Sequence, residues 1–282
     1  MNLLYDLIHF DYLGNAFLAA LLSGVACGLV GTYIVCRRLV FLAGGITHAS
    51  FGGLGVAFYL GTNPIVGAML AALAAAFGIE YASSHNRIRE DSAIGIIWSV
   101  GMAIGALFMS LRPGYTSGDL TAYLFGSIIT VTRGDLIALA ILALLLVVGA
   151  LCWLRPLMYI AFDRDFARSR NLPTRLVSYL MAAVMALTIV FSIRIMGIVL
   201  LLSLVTLPVV VVNSCTKSYI HIAIAAPIVA VVGNLIGLTI SYQWDVPPGA
   251  AIIFTLTVSL IGVKLLTLCR KSNPRSLDEN PA

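Results

Sequence analysis

Charge is the scarcest property of this 282-residue chain: Asp, Glu, Lys and Arg make up 10% of it, against 60% hydrophobic residues and a mean hydropathy of +1.02. That exceeds the apolar content of ordinary soluble domains. Cysteine is sparse too, and Cys27, Cys36, Cys152, Cys215 and Cys269 are scattered, odd in number and free of any CxxC spacing. Neither a disulfide framework nor a thiolate metal site is indicated, and small buried hydrophobes are the better reading. No GxxxxGK[ST] sequence or other nucleotide fingerprint occurs, so any ATP consumed is hydrolysed by another polypeptide. There is no HExxH and no convincing carboxylate pair, which argues against an intramembrane enzyme. The N-terminal MNLLYDLIHFDYLG lacks a basic region and carries Asp6 and Asp11, so it does not read as a cleavable signal peptide. Its Leu3, Leu4, Leu7, Ile8 and Phe10 suit a short helix at the outer interface, with His9 an interfacial side chain.

What the chain has in abundance is apolar runs of roughly twenty residues, each able to cross a bilayer core of about 30 Å. Spans are expected near 14–36, 40–60, 63–83, 93–111, 135–154, 176–194, 195–213, 219–241 and 249–269. The second is interrupted by glycine and polar residues, and the sixth and seventh are separated mainly by Arg194. The fold class is therefore an all-α polytopic membrane protein of about nine transmembrane helices. It forms one transmembrane domain over 1–269, followed by a disordered tail at 270–282.

Basic residues orient the spans. With the N-terminus outside, the inner side receives Arg37, Arg38, Arg87, Arg89, the five arginines of 155–175, Lys217, Lys264, Arg270, Lys271 and Arg275. Only Arg112, Arg133 and Arg194 of the 17 basic residues fall outside, as the positive-inside rule asks. A tenth span at Leu120–Ile129 would export the arginine-rich loop, so 113–133 is read as an outer loop with a short or re-entrant helix. The C-terminus is then cytoplasmic.

The segment RPLMYIAFDRDFARSRNLPTR at 155–175 is the most polar stretch inside this sequence. Asp163 suits an N-cap and Asp165 the first turn of a helix, whereas Arg168 and Arg170 fall near its negative C-terminal end. Asn171 suits the left-handed C′ position, and Pro173 prevents continuation. Such an element is either a docking surface or a solvated loop with good helix propensity.

Few polar groups lie at membrane depth. The stretch FLAGGITHASFGGLG at 41–55 holds five glycines with Thr47, His48 and Ser50. An intramembrane ionisable residue usually faces a cavity or a partner, and neutral imidazole ligates divalent transition metals. The alternative is a glycine-packed helix whose His48 bonds a neighbouring span. Glu80 suits pairing with Arg87 or Arg89, or snorkelling. Asn234, between Gly233 and Gly237, either faces a pore or joins helices. Asp119, Asp135 and Asp245 read as cap or turn carboxylates. Pro208 and Pro227 are expected to break or kink their spans. The GxxxG spacings at Gly24/Gly28, Gly101/Gly105 and Gly233/Gly237 mark close helix contacts, and Met181, Met185 and Met196 core filler.

These residues in this order resemble the membrane permease subunits of bacterial ABC importers for zinc, manganese and iron. The likeness is carried by 41–55, by AFDRDFARSRNLP at 161–173, by MGIVLLLSLVTLP at 196–208 and by the SYQWDVPPGA hairpin at 241–250. It implies the ABC importer permease fold in a multi-pass protein of the bacterial inner (plasma) membrane, with no permanently bound cofactor and a divalent metal ion as cargo. It implies as partners two copies of an ABC ATPase subunit, an extracytoplasmic metal-binding protein, and a second permease copy or close paralogue, within membrane lipid and without nucleic acid. His48, and more distantly Asn234, would be metal ligands. Phe162, Asp163, Phe166, Ala167, Asn171, Leu172 and Pro173 would form the ATPase-coupling element. Manganese-type members commonly carry an Asp four residues before the histidine, where this chain has Gly44, and the coupling helix usually ends in Gly rather than Asn171. The rival readings are a secondary transporter, for which Glu80 is the one clear buried carboxylate, and a permease for vitamin B12 or siderophore chelates, usually longer with ten spans.

Overall fold

The computed structural model describes residues 11–84, 89–112, 126 and 131–272. Among them are α1 (Asp11–Cys36), α2 (Val40–Tyr59), α3 (Pro64–Ser84), α4 (Glu90–Ser110), α5 (Arg133–Phe162), α6 (Arg164–Ser169), α7 (Thr174–Cys215), α8 (Tyr219–Trp244) and α9 (Pro248–Ser272), and no strand. All but α6 are long and apolar enough to span a bilayer, and α7 is two spans joined end to end, which gives nine candidate spans among the described residues. The expected N-terminal interfacial helix with His9, the 120–129 segment, Arg87, Asp119 and most of the tail lie outside the described residues. The helix α9 runs three residues into the expected tail, to Ser272.

Helix α7 is the hub, touching α1, α2, α3, α5, α6, α8 and α9, whereas α4 packs chiefly on α2. In lipid there is no hydrophobic force between helices, so close packing must come from small residues that let backbones meet. The GxxxG pairs do this. A Cβ on Gly28 would lie 2.6 Å from the Pro227 nitrogen, and one on Gly237 2.8 Å from the Ile252 nitrogen, fixing α1 on α8 and α8 on α9. Buried Met181, Met185 and Met196 fill the core around α7. The outward faces of α5 and α9 carry exposed Leu144, Leu145, Leu151, Phe254, Val258 and Leu266, which suits a lipid-facing surface.

The interruptions fall elsewhere than the prolines suggest. Pro208 and Pro227 lie within α7 and α8, and the only non-helical residue in α7 is Gly197, at φ 77 and ψ 167, a conformation open essentially to glycine. The candidate spans Thr174–Ile193 and Ile195–Cys215 meet at Arg194 as expected, and the backbone changes course just beyond it, at Gly197. A proline costs its helix a hydrogen bond but needs no break when a neighbour packs on it, and Pro227 is held against Gly28. The fifth span also outruns its expected end. It continues through Pro156 to Phe162, with its kink at Trp153 (φ −126, ψ 15), where the proline ring crowds the preceding turn.

Terminal chemistry follows the sequence closely. Thr132 and Asp135 form a capping box on α5, in which the Thr132 amide donates to Asp135 Oδ2 at 3.0 Å. Asp245 closes α8 in the left-handed region at φ 53, beside the Ser241 hydroxyl that donates to the Val246 carbonyl. Arg38, also left-handed, lets the Leu39 amide turn back to the Ile34 carbonyl, so α1 reverses directly into α2.

Candidate functional site

The glycine-rich stretch forms an unbroken helix, α2, whose glycines serve contact on two sides. Toward α4, a Cβ on Gly52 would sit 2.8 Å from the Gly101 carbonyl oxygen, and one on Gly55 would sit 2.6 Å from that of Gly105. Toward α3, a Cβ on Gly67 would sit 2.5 Å from the Gly53 carbonyl oxygen. The two polar neighbours of His48 are spoken for within the helix. Thr47 donates to the Ala43 carbonyl at 2.7 Å and Ser50 to the Thr47 carbonyl at 2.6 Å.

His48 points into the α2–α4 seam. Its ring stacks on Trp98 with centroids 4.2 Å apart and 23° between planes, and its Nδ1 lies 2.9 Å from the Met102 sulfur. Trp98 and Met102 stand one turn apart on α4, and all three side chains are half-buried. Gly44, one turn before His48, faces the same indole: a Cβ there would be 2.7 Å from Trp98 Cζ3. Among the described residues, no three His, Cys, Asp or Glu side chains gather as a metal cluster.

Asn234 is elsewhere. It is fully buried between α8 and α1, where its Nδ2 donates to the Ala20 carbonyl at 2.8 Å and its Oδ1 has no partner. That is the helix-joining geometry, and the structure does not bring Asn234 and His48 together.

The polar segment holds the expected short helix, α6. Asp163 Oδ1 accepts from the amides of Asp165 and Phe166, both at 2.9 Å. At the other end Asn171 adopts φ 55, the Leu172 amide donates to the Ala167 carbonyl and the Asn171 amide to the Arg168 carbonyl. That pair of bonds is a Schellman closure, satisfying carbonyls the helix end would leave orphaned. Ala167 is buried, while Phe162 and Phe166 are exposed but braced edge-on against Tyr219 and Tyr159. Arg170 lies over the Phe166 ring at 5.4 Å. The result is a rigid knob with an aromatic and arginine surface, seated between the ends of α5 and α7.

His48 and the ends of α6 stand out in the sequence, whereas the two side chains that meet His48, Trp98 and Met102, do not. Their signal is weak: an i, i+4 pair on one face of the fourth span, next to the Gly101/Gly105 spacing that marks close approach.

Known proteins share this architecture. The model of the ABC 3 transport family matches residues 9–266. A probable metal transport system membrane protein of Chlamydia pneumoniae is 36% identical over 92% of this chain and 89% of its own. The manganese transport system membrane protein MntC of Halalkalibacterium halodurans is 30% identical over 88% of this chain and 85% of its own. Among solved structures, PsaBC from Streptococcus pneumoniae in complex with Fab superposes with a TM-score of 0.84 at 25% identity, covering 95% of this chain and 98% of that one. A family match over almost the entire span region, on a bundle of the same shape, makes this multi-pass inner-membrane protein a permease of the ABC 3 transport family.

Proposed function

We propose that this chain is the permease subunit of an ATP-binding-cassette importer that moves a divalent transition metal into the cytoplasm. The observation that carries the reading is the capped knob of α6, a folded basic element between two spans in a chain that has no nucleotide-binding motif of its own. An ATPase on a separate polypeptide would press on Phe162, Asp163, Phe166, Ala167, Asn171, Leu172 and Pro173. Two permease copies would pair across a central pathway above two ATPase subunits. An extracytoplasmic binding protein would deliver the ion to the outer face. The charge distribution supports an outer N-terminus and a cytoplasmic C-terminus.

The metal cargo is supported by relatives named for metal and manganese transport and by a mid-span imidazole, for which His48 is the proposed transient ligand. A single imidazole from one chain makes a weak and incomplete shell, as an ion that must be released requires. Asn234, with its amide spent on Ala20, is proposed to hold α8 on α1 rather than to bind the ion.

The test has two parts. Tagged protein purified from native membrane in mild detergent is expected to bring an ATPase subunit with it, and reproducible absence of that subunit sinks the importer reading. Uptake of zinc, manganese and iron is then compared in cells carrying the wild-type chain or His48→Ala. The variant is expected to lose most of the chain-dependent uptake, and undiminished uptake removes His48 from the pathway.

A further inference from the structure

Among the described residues His48 belongs to no cluster of three or more His, Cys, Asp or Glu side chains. What faces the imidazole is sulfur. Met102 Sδ lies 2.9 Å from His48 Nδ1, on a helix held there by glycine-to-backbone contact: a Cβ on Gly101 would sit 2.6 Å from the His48 carbonyl oxygen itself. This contact is built into the α2–α4 crossing rather than being a chance meeting of two long side chains. The stack on Trp98 then fixes the plane of the ring.

The geometry points to Met102 as a specificity-determining residue: with His48 it forms an imidazole–thioether pair that favours zinc over manganese in this permease. The inference rests on the proposed role of His48 in the metal pathway and adds to it the second donor and its chemical preference. Imidazole suits zinc and thioether sulfur is a soft donor, whereas manganese favours carboxylate, carbonyl and water oxygen. Tetrahedral zinc with Zn–N of about 2.0–2.1 Å, and a Zn–S bond no shorter than the about 2.3 Å of a thiolate, needs its donors at least about 3.6 Å apart. The observed 2.9 Å must therefore open by a fraction of an ångström, which the unbranched methionine side chain allows by rotation. Both donors are half-buried, so the pair is not sealed by this chain's own packing and the remaining positions of the shell would fall to water.

Trp98 completes the argument by what it keeps out. Gly44 stands one turn from His48, where a carboxylate would supply a hard oxygen on the same helix face. The indole fills that volume, with Cζ3 2.7 Å from where a Cβ would be. A side chain at 44 therefore requires the indole of Trp98 to shift. Gly44, Trp98 and Met102 act as one unit that replaces oxygen with sulfur beside the imidazole.

The experiment uses the purified permease with its ATPase, titrated with zinc chloride and with manganese chloride by calorimetry, and read at the zinc edge by X-ray absorption. Wild type is expected to bind zinc at least about a hundredfold tighter than manganese, with a sulfur neighbour beyond the about 2.3 Å of a thiolate. Met102→Leu, which keeps the volume, is expected to weaken zinc by at least about tenfold, leave manganese unchanged and lose that sulfur shell. The double variant Gly44→Asp with Trp98→Ala is expected to narrow the zinc-to-manganese ratio. A sulfur shell that persists in Met102→Leu, or a wild type that binds manganese as tightly as zinc, overturns the proposal. Zinc weakened in His48→Ala with the ratio unmoved in Met102→Leu overturns the sulfur donor while keeping His48. Failure of ATPase co-purification in the same samples strikes the importer reading instead.

Discussion

Glycine positions in this bundle differ sharply in what they tolerate, although composition treats them alike. Gly101 has the His48 carbonyl oxygen 2.6 Å and the Ala49 Cα 2.8 Å from where its Cβ would be, whereas Gly95, on the same helix, has nothing within 4 Å. Gly101→Val should therefore prise α4 from α2 and cost about 1–3 kcal/mol, the usual scale of overpacking. Gly95→Ala should be nearly neutral, within about 0.5 kcal/mol. Thermal-shift midpoints in detergent distinguish the two, and equal midpoints would contradict the backbone-contact account. If His48 binds the ion as proposed, Gly101→Val should also weaken that binding, because the seam that sets His48 against Met102 would open. The three GxxxG spacings announce such contacts in sequence, but only packing tells which glycine meets carbonyl oxygen and which meets open space.

At the scale of elements, two short features govern α6 and the α7 break. Asp163 accepts two amides at the start of α6, and loss of such a cap costs about 1 kcal/mol. In a helix of 6 residues, that is a large share of what holds it folded. Asp163→Ala is thus expected to leave membrane insertion intact and to lower transport-coupled ATP turnover, measured in proteoliposomes with the partner ATPase. If assembly and transport survive both this change and scrambling of 164–169, α6 is not the lever. Asn171→Gly should be well tolerated, since its φ of 55 suits glycine at least as well. Gly197→Ala should behave oppositely. At φ 77 and ψ 167 an alanine carries about 1–3 kcal/mol of strain, so the α7 break should shift or the protein should melt earlier, which a detergent unfolding curve would register.

At the scale of the whole molecule, the nine spans and the basic residues make a joint prediction about sidedness. A cytoplasm-dependent reporter fused after Ser272 should be active, and one inserted after Asp245 inactive, because the intervening α9 crosses once. The opposite pattern would invert the bundle and put α6 on the wrong side for an ATPase. Much of this molecule is set locally and is therefore legible in the sequence. Run length and hydropathy determine that the chain spans a membrane and roughly where. Asp163, Thr132, Asp135 and Asn171 determine helix ends, because a cap acts through amides and carbonyls only a few residues away. Long-range contact decides the rest. That the backbone changes course at Gly197 while Pro208 and Pro227 pass without a break depends on packing that no window of residues contains. That Asn234 is spent on Ala20, and that His48 meets Trp98 and Met102 across the α2–α4 seam, depends on residues fifty or more positions apart in the chain. The sequence alone supplied the imidazole at membrane depth, and only the close approach of two glycine-lined backbones decided which atoms face it.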